Sequence, residues 1–384
     1  MDTSKIFERI DELNDEFVEF WQKLCDIESP SSYKEGVDAV GKCVMDKARA
    51  RGWQIKIHKE EVSGDAISII MNPEAKGAPV CFSGHMDTVH PVGSFGTPPT
   101  RIEGDKMYGP GVTDCKGGIV TAFLAMAALE DCGFCARPLK LILQSDEEVG
   151  SAPSEKRTVK FMAEEGKDAI AFFNCESYGI TGEKVVVARK GIIRYQFDVT
   201  GRAEHSASCY NGANAIAEAA HKILELEKWK DEAGVTCNCG VITGGTTANT
   251  VAASCTFYAD IRYKTMAELE AVKQRVKEIA DTVYIPGCKT ELSQKSYRVS
   301  MELKERNVAL AEKMNEIFRN NGMSELKISE VNGGSDAADM TYYGIPCVDS
   351  LGVCGGYIHS RDEYGFISSL ALGAKRLALV TSLL

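Results

Sequence analysis

Apolar residues recur at helical spacing over residues 6–25 and again over 37–51, which predicts two amphipathic helices at the start of the chain. Period-two and continuous apolar runs at Gln54–His58 and Ala66–Met71 predict strands. Three later runs, residues 79–82, 139–143 and 169–173, are short and apolar throughout, and a helix of about residues 117–130 falls between the first two. Fully apolar strands separated by helices predict an α/β fold whose mostly parallel sheet carries helices on both faces. The last such run, residues 346–351, must return a strand to the same sheet.

Between these parts the pattern changes. Residues 184–200 alternate like a half-exposed strand, 213–229 and 267–282 are helical, and 235–243 and 250–263 are strand-like. Strand, helix, two strands and helix with period-two alternation predict an antiparallel α+β, ferredoxin-like domain. It is placed at residues 187–296, interrupting a discontinuous domain of residues 1–186 and 297–384. A length of 384 residues favours two cores over one.

Charge and cysteine usage narrow the classes. A net charge of -11 speaks against nucleic acid or an anionic membrane surface as partner. No run of 18 apolar residues is present, and residues 1–24 read as a charged amphipathic helix rather than a signal peptide, so a soluble, cytoplasmic protein is expected. The 14 cysteines are irregularly spaced and often lie in apolar strands, which suits reduced thiols. Cys132 and Cys135 form a C-x-x-C pair, but without a second pair or the strand-to-helix setting of a redox motif. No G-x-G-x-x-G opens the first strand-helix unit, which sets a dinucleotide-dependent dehydrogenase aside.

The polar residues that follow the apolar runs carry the chemistry. His85 and Asp87 follow the run at 79–82, Glu147 and Glu148 the run at 139–143, Glu176 the run at 169–173, and His359 the run at 346–351, while Asp114 precedes the helix at 117. Open α/β sheets bind ligands beyond the carboxyl ends of their strands, where these residues fall. Imidazole with carboxylate suits borderline divalent ions such as zinc, and this set exceeds the needs of one tetrahedral ion, so two are expected. Two ions about 3.5 to 4 Å apart acidify a shared water and polarise a carbonyl, which predicts amide hydrolysis. Asp114 suits the bridging carboxylate, and Asp87 is near enough in sequence to accept the ring N–H of His85. Of Glu147 and Glu148, one is a proton acceptor and the other a ligand, and the spacing does not choose. Taken singly, Asp87 could cap a turn, Asp114 a helix, and residues 146–148 form a solvated acidic run.

Several segments extend the pattern: Gly84-His-Met-Asp-Thr-Val89, Gly109-Pro-Gly-Val-Thr-Asp-Cys-Lys-Gly-Gly118, Asp146-Glu-Glu-Val-Gly150, Arg189-Lys-Gly191, Gly201-Arg-Ala-Glu-His-Ser-Ala207, Gly245-Thr-Thr-Ala-Asn-Thr-Val-Ala252, Asp260-Ile-Arg262, Gly333-Gly-Ser-Asp336 and His359-Ser-Arg-Asp-Glu363. In order and spacing the chain resembles the M20 family of co-catalytic zinc metallopeptidases, the group of glutamate carboxypeptidase, succinyl-diaminopimelate desuccinylase and acetylornithine deacetylase. The resemblance implies that His85, Asp114 and Glu176 bind one zinc ion and that Asp114, Glu148 and His359 complete the other, or that the terminal ligands are exchanged. It implies Glu147 as general base, Asp87 as the residue orienting His85, and a cis peptide after Asp114. Cobalt or manganese would also suit these ligands.

The same resemblance makes the inserted domain a lid and dimer interface. His205 would then stabilise the oxyanion, in the partner subunit's cleft, and Asn249 and Arg262 would grip a substrate carboxylate, with Arg298 a weaker candidate. Two departures from the family pattern are Glu204 beside His205 and Val251-Ala252 where proline is usual. The implied protein is a homodimeric metallohydrolase of small peptides or N-acyl amino acids, carboxypeptidase-like, with an aminopeptidase, dipeptidase or N-deacylase as alternatives. A silent metal- or small-molecule-binding descendant is the rival from another class, and the presence of Glu147 with all five ligands counts against it.

Overall fold

The computed structural model describes residues 1–384. It separates into two compact units, one of Met1–Ala188, Leu303–Glu330 and Ser335–Leu384, the other of Arg189–Glu302 with Val331–Gly334.

The first unit opens with helices α1 (Thr3–Cys25) and α2 (Lys34–Ala50) and continues through β1 (Gln54–His58), β2 (Ala66–Met71), β3 (Val80–His85), β4 (Arg101–Glu103), β5 (Lys106–Tyr108), α3 (Gly117–Asp131), β6 (Leu139–Gln144), α4 (Arg157–Gly166), β7 (Ala171–Asn174) and β8 (Lys184–Arg189). α1 starts where the Asp2 carboxylate accepts the Ser4 N–H, and it buries Ile6, Ile10, Leu13, Phe17 and Leu24 at helical spacing. The second unit supplies β9 (Gly191–Thr200), α5 (Ala215–Leu226), β10 (Thr236–Gly244), β11 (Ser254–Tyr263), α6 (Met266–Asp281) and β12 (Lys289–Arg298). The chain then returns as α7 (Glu305–Asn320), β13 (Lys327–Val331), α8 (Asp336–Tyr342), β14 (Cys347–Val348), β15 (Gly355–Gly356), β16 (Tyr364–Phe366) and α9 (Ser368–Leu383).

The main sheet runs β1-β2-β6-β3-β7-β14. Its centre, β6-β3-β7-β14, is parallel, and β2 is antiparallel to both β1 and β6. Every residue of β2, β3 and β7 is buried, so helices and loops cover both faces. α3 packs against β3, β6, α1 and α9, and α4 against β2, β6 and α8. The segment Val112–Asp131 is long and apolar enough to cross a membrane, but it is buried inside this unit from Val112 to Leu129, as a core helix is. All 14 cysteines are free thiols.

The second unit is an antiparallel sheet, β10-β11-β9-β12, backed by α5 and α6. Its core comprises Phe197 stacked on Phe257 with Val199, Ile261, Leu269 and Val276. The single strand expected over residues 184–200 is in fact two. β8 pairs with β13 in the first unit, whereas β9 pairs with β11 and β12 in the second. The break comes at Lys190, before Gly191, where a Cβ would lie 2.3 Å from the Tyr263 ring. At its other end the second unit runs beyond residue 296 to Glu302, because β12 continues through Arg298 beside β9. A small sheet, β15-β16-β5-β4, has strands of two or three residues, too short to leave a periodic signal.

Candidate metal centre

β3 ends in His85, whose side chain is 1% exposed and whose N–H donates to Cys115 Sγ at 3.0 Å. The close approach of α3 demands Gly84 here, since a Cβ would lie 2.9 Å from Ile119 Cγ1. His85 Nε2 lies 2.9 Å from Asp114 Oδ1 and 3.7 Å from Glu176 Oε1, just beyond the end of β7. On the other side, His359 Nε2 lies 3.2 Å from Asp114 Oδ2 and 3.1 Å from Glu148 Oε2, in the loop that follows β6. The two oxygens of Asp114 thus divide between two sets of donors, His85 with Glu176 and His359 with Glu148. His359 reaches this position from a left-handed backbone conformation (φ 63°), and the Asp114–Cys115 peptide is cis, as the resemblance implied.

Asp87 does something the sequence did not suggest. His85 Nδ1 lies nearer the main-chain oxygen of Asp87, at 2.9 Å, than its carboxylate, at 3.4 Å. That carboxylate is instead taken up by the N–H groups of Glu147 and Glu148, each at 3.1 Å, and by the Ser31 hydroxyl at 2.6 Å. One buried residue therefore orients His85 through its backbone and sets the Glu147-Glu148 turn through its side chain. Asp146 braces the same loop by accepting the Ser154 N–H and the Thr158 hydroxyl.

The electrostatics are those of crowded buried acids. Burial and the charge of Asp114 hold Glu176 well above the usual carboxylate range, and burial pushes Glu148 up to about 8 despite its bond to His359. For Asp114, burial is outweighed by the two imidazoles, and its carboxyl is held far below the ordinary range. Hydrogen bonds to Asp114 and Glu148 raise His359 to about 10. Of these three carboxyls only Asp114 is held down, by the imidazoles on either side; burial and neighbouring negative charge raise Glu148 and Glu176, a strain that cations placed among them would relieve.

Two imidazole nitrogens with three carboxylates, one facing both sets, fit a pair of borderline divalent ions. Cys115 Sγ also lies within 4.8 Å of donor atoms of His85 and Glu176. Burial pushes its thiol up to about 12, and its sulfur already accepts the His85 N–H, so it packs as a neutral thiol.

The remaining predicted residues lie in the second unit. His205 precedes the short helix Ser206–Asn211, and its Nδ1 accepts the Ala207 N–H at 3.2 Å. The Ser206 N–H donates to the Asn249 carbonyl at 2.9 Å, which sets Asn249 beside His205. Glu204 turns its carboxylate onto the His205 N–H at 2.9 Å. The guanidinium of Arg262 is bound to Asp260 at 2.6 Å, and Arg194 holds the other oxygen of that carboxylate. Sequence reasoning missed Ser31, which no motif marks, and gave no role to Glu363, although the residue closes a quoted motif.

A covered α/β sheet with this donor set beyond its strand ends defines a metal-dependent hydrolase. The model for "Peptidase family M20/M25/M40" matches residues 81–382, and the chain belongs to that family, whose members are hydrolases of peptide or amide bonds. The chain is 28% identical over 356 residues to carboxypeptidase G2 of Pseudomonas sp. (strain RS-16), covering 91% of this chain and 84% of that one. Its fold is similar to that of aminopeptidase PepT from Bacillus cereus, with a TM-score of 0.80 at 20% identity over 96% of this chain and 98% of that one. It is also similar to Bacillus subtilis YXEP, described as a dinuclear metal binding peptidase of the M20 family, with a TM-score of 0.73 at 14% identity over 97% and 98% of the two chains.

Proposed function

We propose that the protein is a dizinc exopeptidase of carboxypeptidase type, releasing a free amino acid from a small peptide or N-acyl amino acid. The observation that carries this reading is the division of Asp114 between His85 with Glu176 and His359 with Glu148. His85, Asp114 and Glu176 would hold one zinc and Asp114, Glu148 and His359 the other, and cobalt or manganese would suit the same donors. Bound there, the ions supply water acidification and carbonyl polarisation.

The remaining work falls to this chain's residues. Glu147, held by its N–H on Asp87, accepts the proton of the attacking water and passes it to the departing nitrogen. Asp87 keeps Glu147 and Glu148 in register, so that one serves as base while the other faces the ions. In a homodimer, His205 of one subunit donates to the developing oxyanion in the other's cleft. Asn249 and Arg262 take the substrate carboxylate, and for Arg262 that means sharing its guanidinium with Asp260. The 28% identity to carboxypeptidase G2 supports a substrate with a free carboxyl end.

Glu147→Ala is expected to lower kcat by about 10²- to 10⁴-fold with metal content unchanged, and parental turnover would remove Glu147 from the mechanism. N-blocked dipeptides should be cleaved and C-amidated ones refused, and the reverse preference would establish the aminopeptidase alternative. Sedimentation should return twice the 41.8 kDa chain mass, and a monomer at working concentration would end the role of His205 across subunits.

A further inference from the structure

Glu363 is 1% exposed and stands four residues after His359, immediately before β16. Its Oε1 accepts the N–H of Thr113 at 3.0 Å, the N–H of Asp114 at 3.2 Å and the Thr113 hydroxyl at 3.3 Å. Its Oε2 accepts the N–H of Gly111 at 3.3 Å and lies 3.2 Å from His90 Nε2. The segment bearing these amides is not regular helix. Gly111 has φ 72°, and Asp114 and Cys115 depart from helical angles, and the N–H groups of Gly111, Thr113 and Asp114 turn inward on one carboxylate.

That carboxylate sits on the segment that carries His359. Glu363 donates its own N–H to the Ser360 carbonyl, Ser360 donates to Tyr357, and the intervening His359 is left-handed. His359 is the ligand least held by its surroundings, with a side chain 53% exposed against 1% for His85. One buried carboxylate thus joins the turn that presents Asp114 to the turn that presents His359.

We propose that Glu363 is a positioning residue that sets the separation of Asp114 and His359, and so determines occupancy of the cation site those residues form with Glu148. The site of His85 and Glu176 depends on it less, because His85 ends β3 and Glu176 stands two residues past β7, neither of which Glu363 touches. This inference rests on the two-cation reading of the centre. In Glu363→Gln an amide N–H₂ faces either the Gly111 N–H or the Thr113 and Asp114 N–H groups, so the charge and at least one of these bonds are lost without a change of volume. In Glu363→Asp the charge stays and the reach shortens.

The test is titration of metal-free parent, Glu363→Gln and Glu363→Asp with Co²⁺, followed by calorimetry and by the visible spectrum, with circular dichroism and melting to report the fold. The expected result is two equivalents bound by the parent. In both variants the first equivalent binds nearly as in the parent, and the second is weakened about 10- to 100-fold, the usual size for a residue that orients a metal ligand. Second-site affinity within twofold of the parent would overturn the inference. So would equal weakening of both sites, or loss of cooperative melting in both variants, which would leave Glu363 a residue of the fold alone. A parent that takes up no Co²⁺ would sink the two-cation reading itself.

Discussion

Asp87 shows how much one carboxylate can decide. It is fully buried and receives two main-chain N–H groups and a serine hydroxyl; against burial, the neighbouring His85 first, then the Ser31 hydroxyl and the Glu148 N–H, hold its carboxyl below the usual range. Asp87→Asn would turn an amide N–H₂ toward at least one of those donors. We expect a loss of about 10- to 100-fold in metal affinity, measured by competition with a chelator, with the fold retained. Unchanged affinity would mean that the Glu147-Glu148 turn holds its shape without this anchor. At this scale the candidate donors stand out in the sequence because each follows an apolar run or opens a helix, and a strand end leaves few places to go. The assignment within the glutamate pair was not legible. Adjacent residues have nearly the same spacing to everything else, and it is the bond from His359 that sets Glu148 beside Asp114.

Among the elements, α3 and β7 show what close packing requires. Gly118, in the first turn of α3, lies against the main chain beyond β7, where a Cβ would stand 1.7 Å from the Cys175 carbonyl oxygen. A Cβ on Gly352 would lie 2.5 Å from the same carbonyl oxygen and 3.0 Å from the Gly118 Cα. No rotamer change relieves a clash with backbone. Gly118→Ala should therefore cost at least about 1 to 3 kcal/mol, read as a lowered melting temperature, and should disturb Glu176, the next residue along. An alanine variant that melts with the parent would show that α3 can shift freely. Period and run length anticipated α1, α2, α3, α5 and α6 and the buried strands β2, β3, β6 and β7, but no expectation covered α4, α7, α8, α9 or β12. They failed at Lys190, where continuous alternation hides a change of sheet, and in the small β15-β16-β5-β4 sheet, whose strands are shorter than one period of evidence.

The whole molecule carries a net charge of -11, and part of its acidity is tied into ion pairs that staple the first unit. Asp65, between β1 and β2, meets Lys59 and Lys34, and Glu60 meets Arg157 of α4 and His58. Burial would raise both carboxyls, but these partners outweigh it and hold them below their ordinary values of 3.8 and 4.5. A carboxyl depressed on folding stabilises the folded state above its unfolded pKa and loses that contribution as pH falls toward the folded one. Urea unfolding should thus show stability falling below about pH 4.5, less steeply in Asp65→Asn. The same acid limb in parent and variant would remove Asp65 from the account.

What the sequence determined by itself was the class: two cores, a covered sheet, and a set of imidazoles and carboxylates at its strand ends suited to two cations. Those features are local, written in period, run length and residue type. Tertiary structure alone decided which oxygen faces which imidazole, that Asp87 serves the glutamate turn as well as His85, and that Glu363 fastens Asp114 to the segment of His359 across 249 positions. These are contacts between residues far apart in the chain, and they come into being only when the sheet and its loops close around one another.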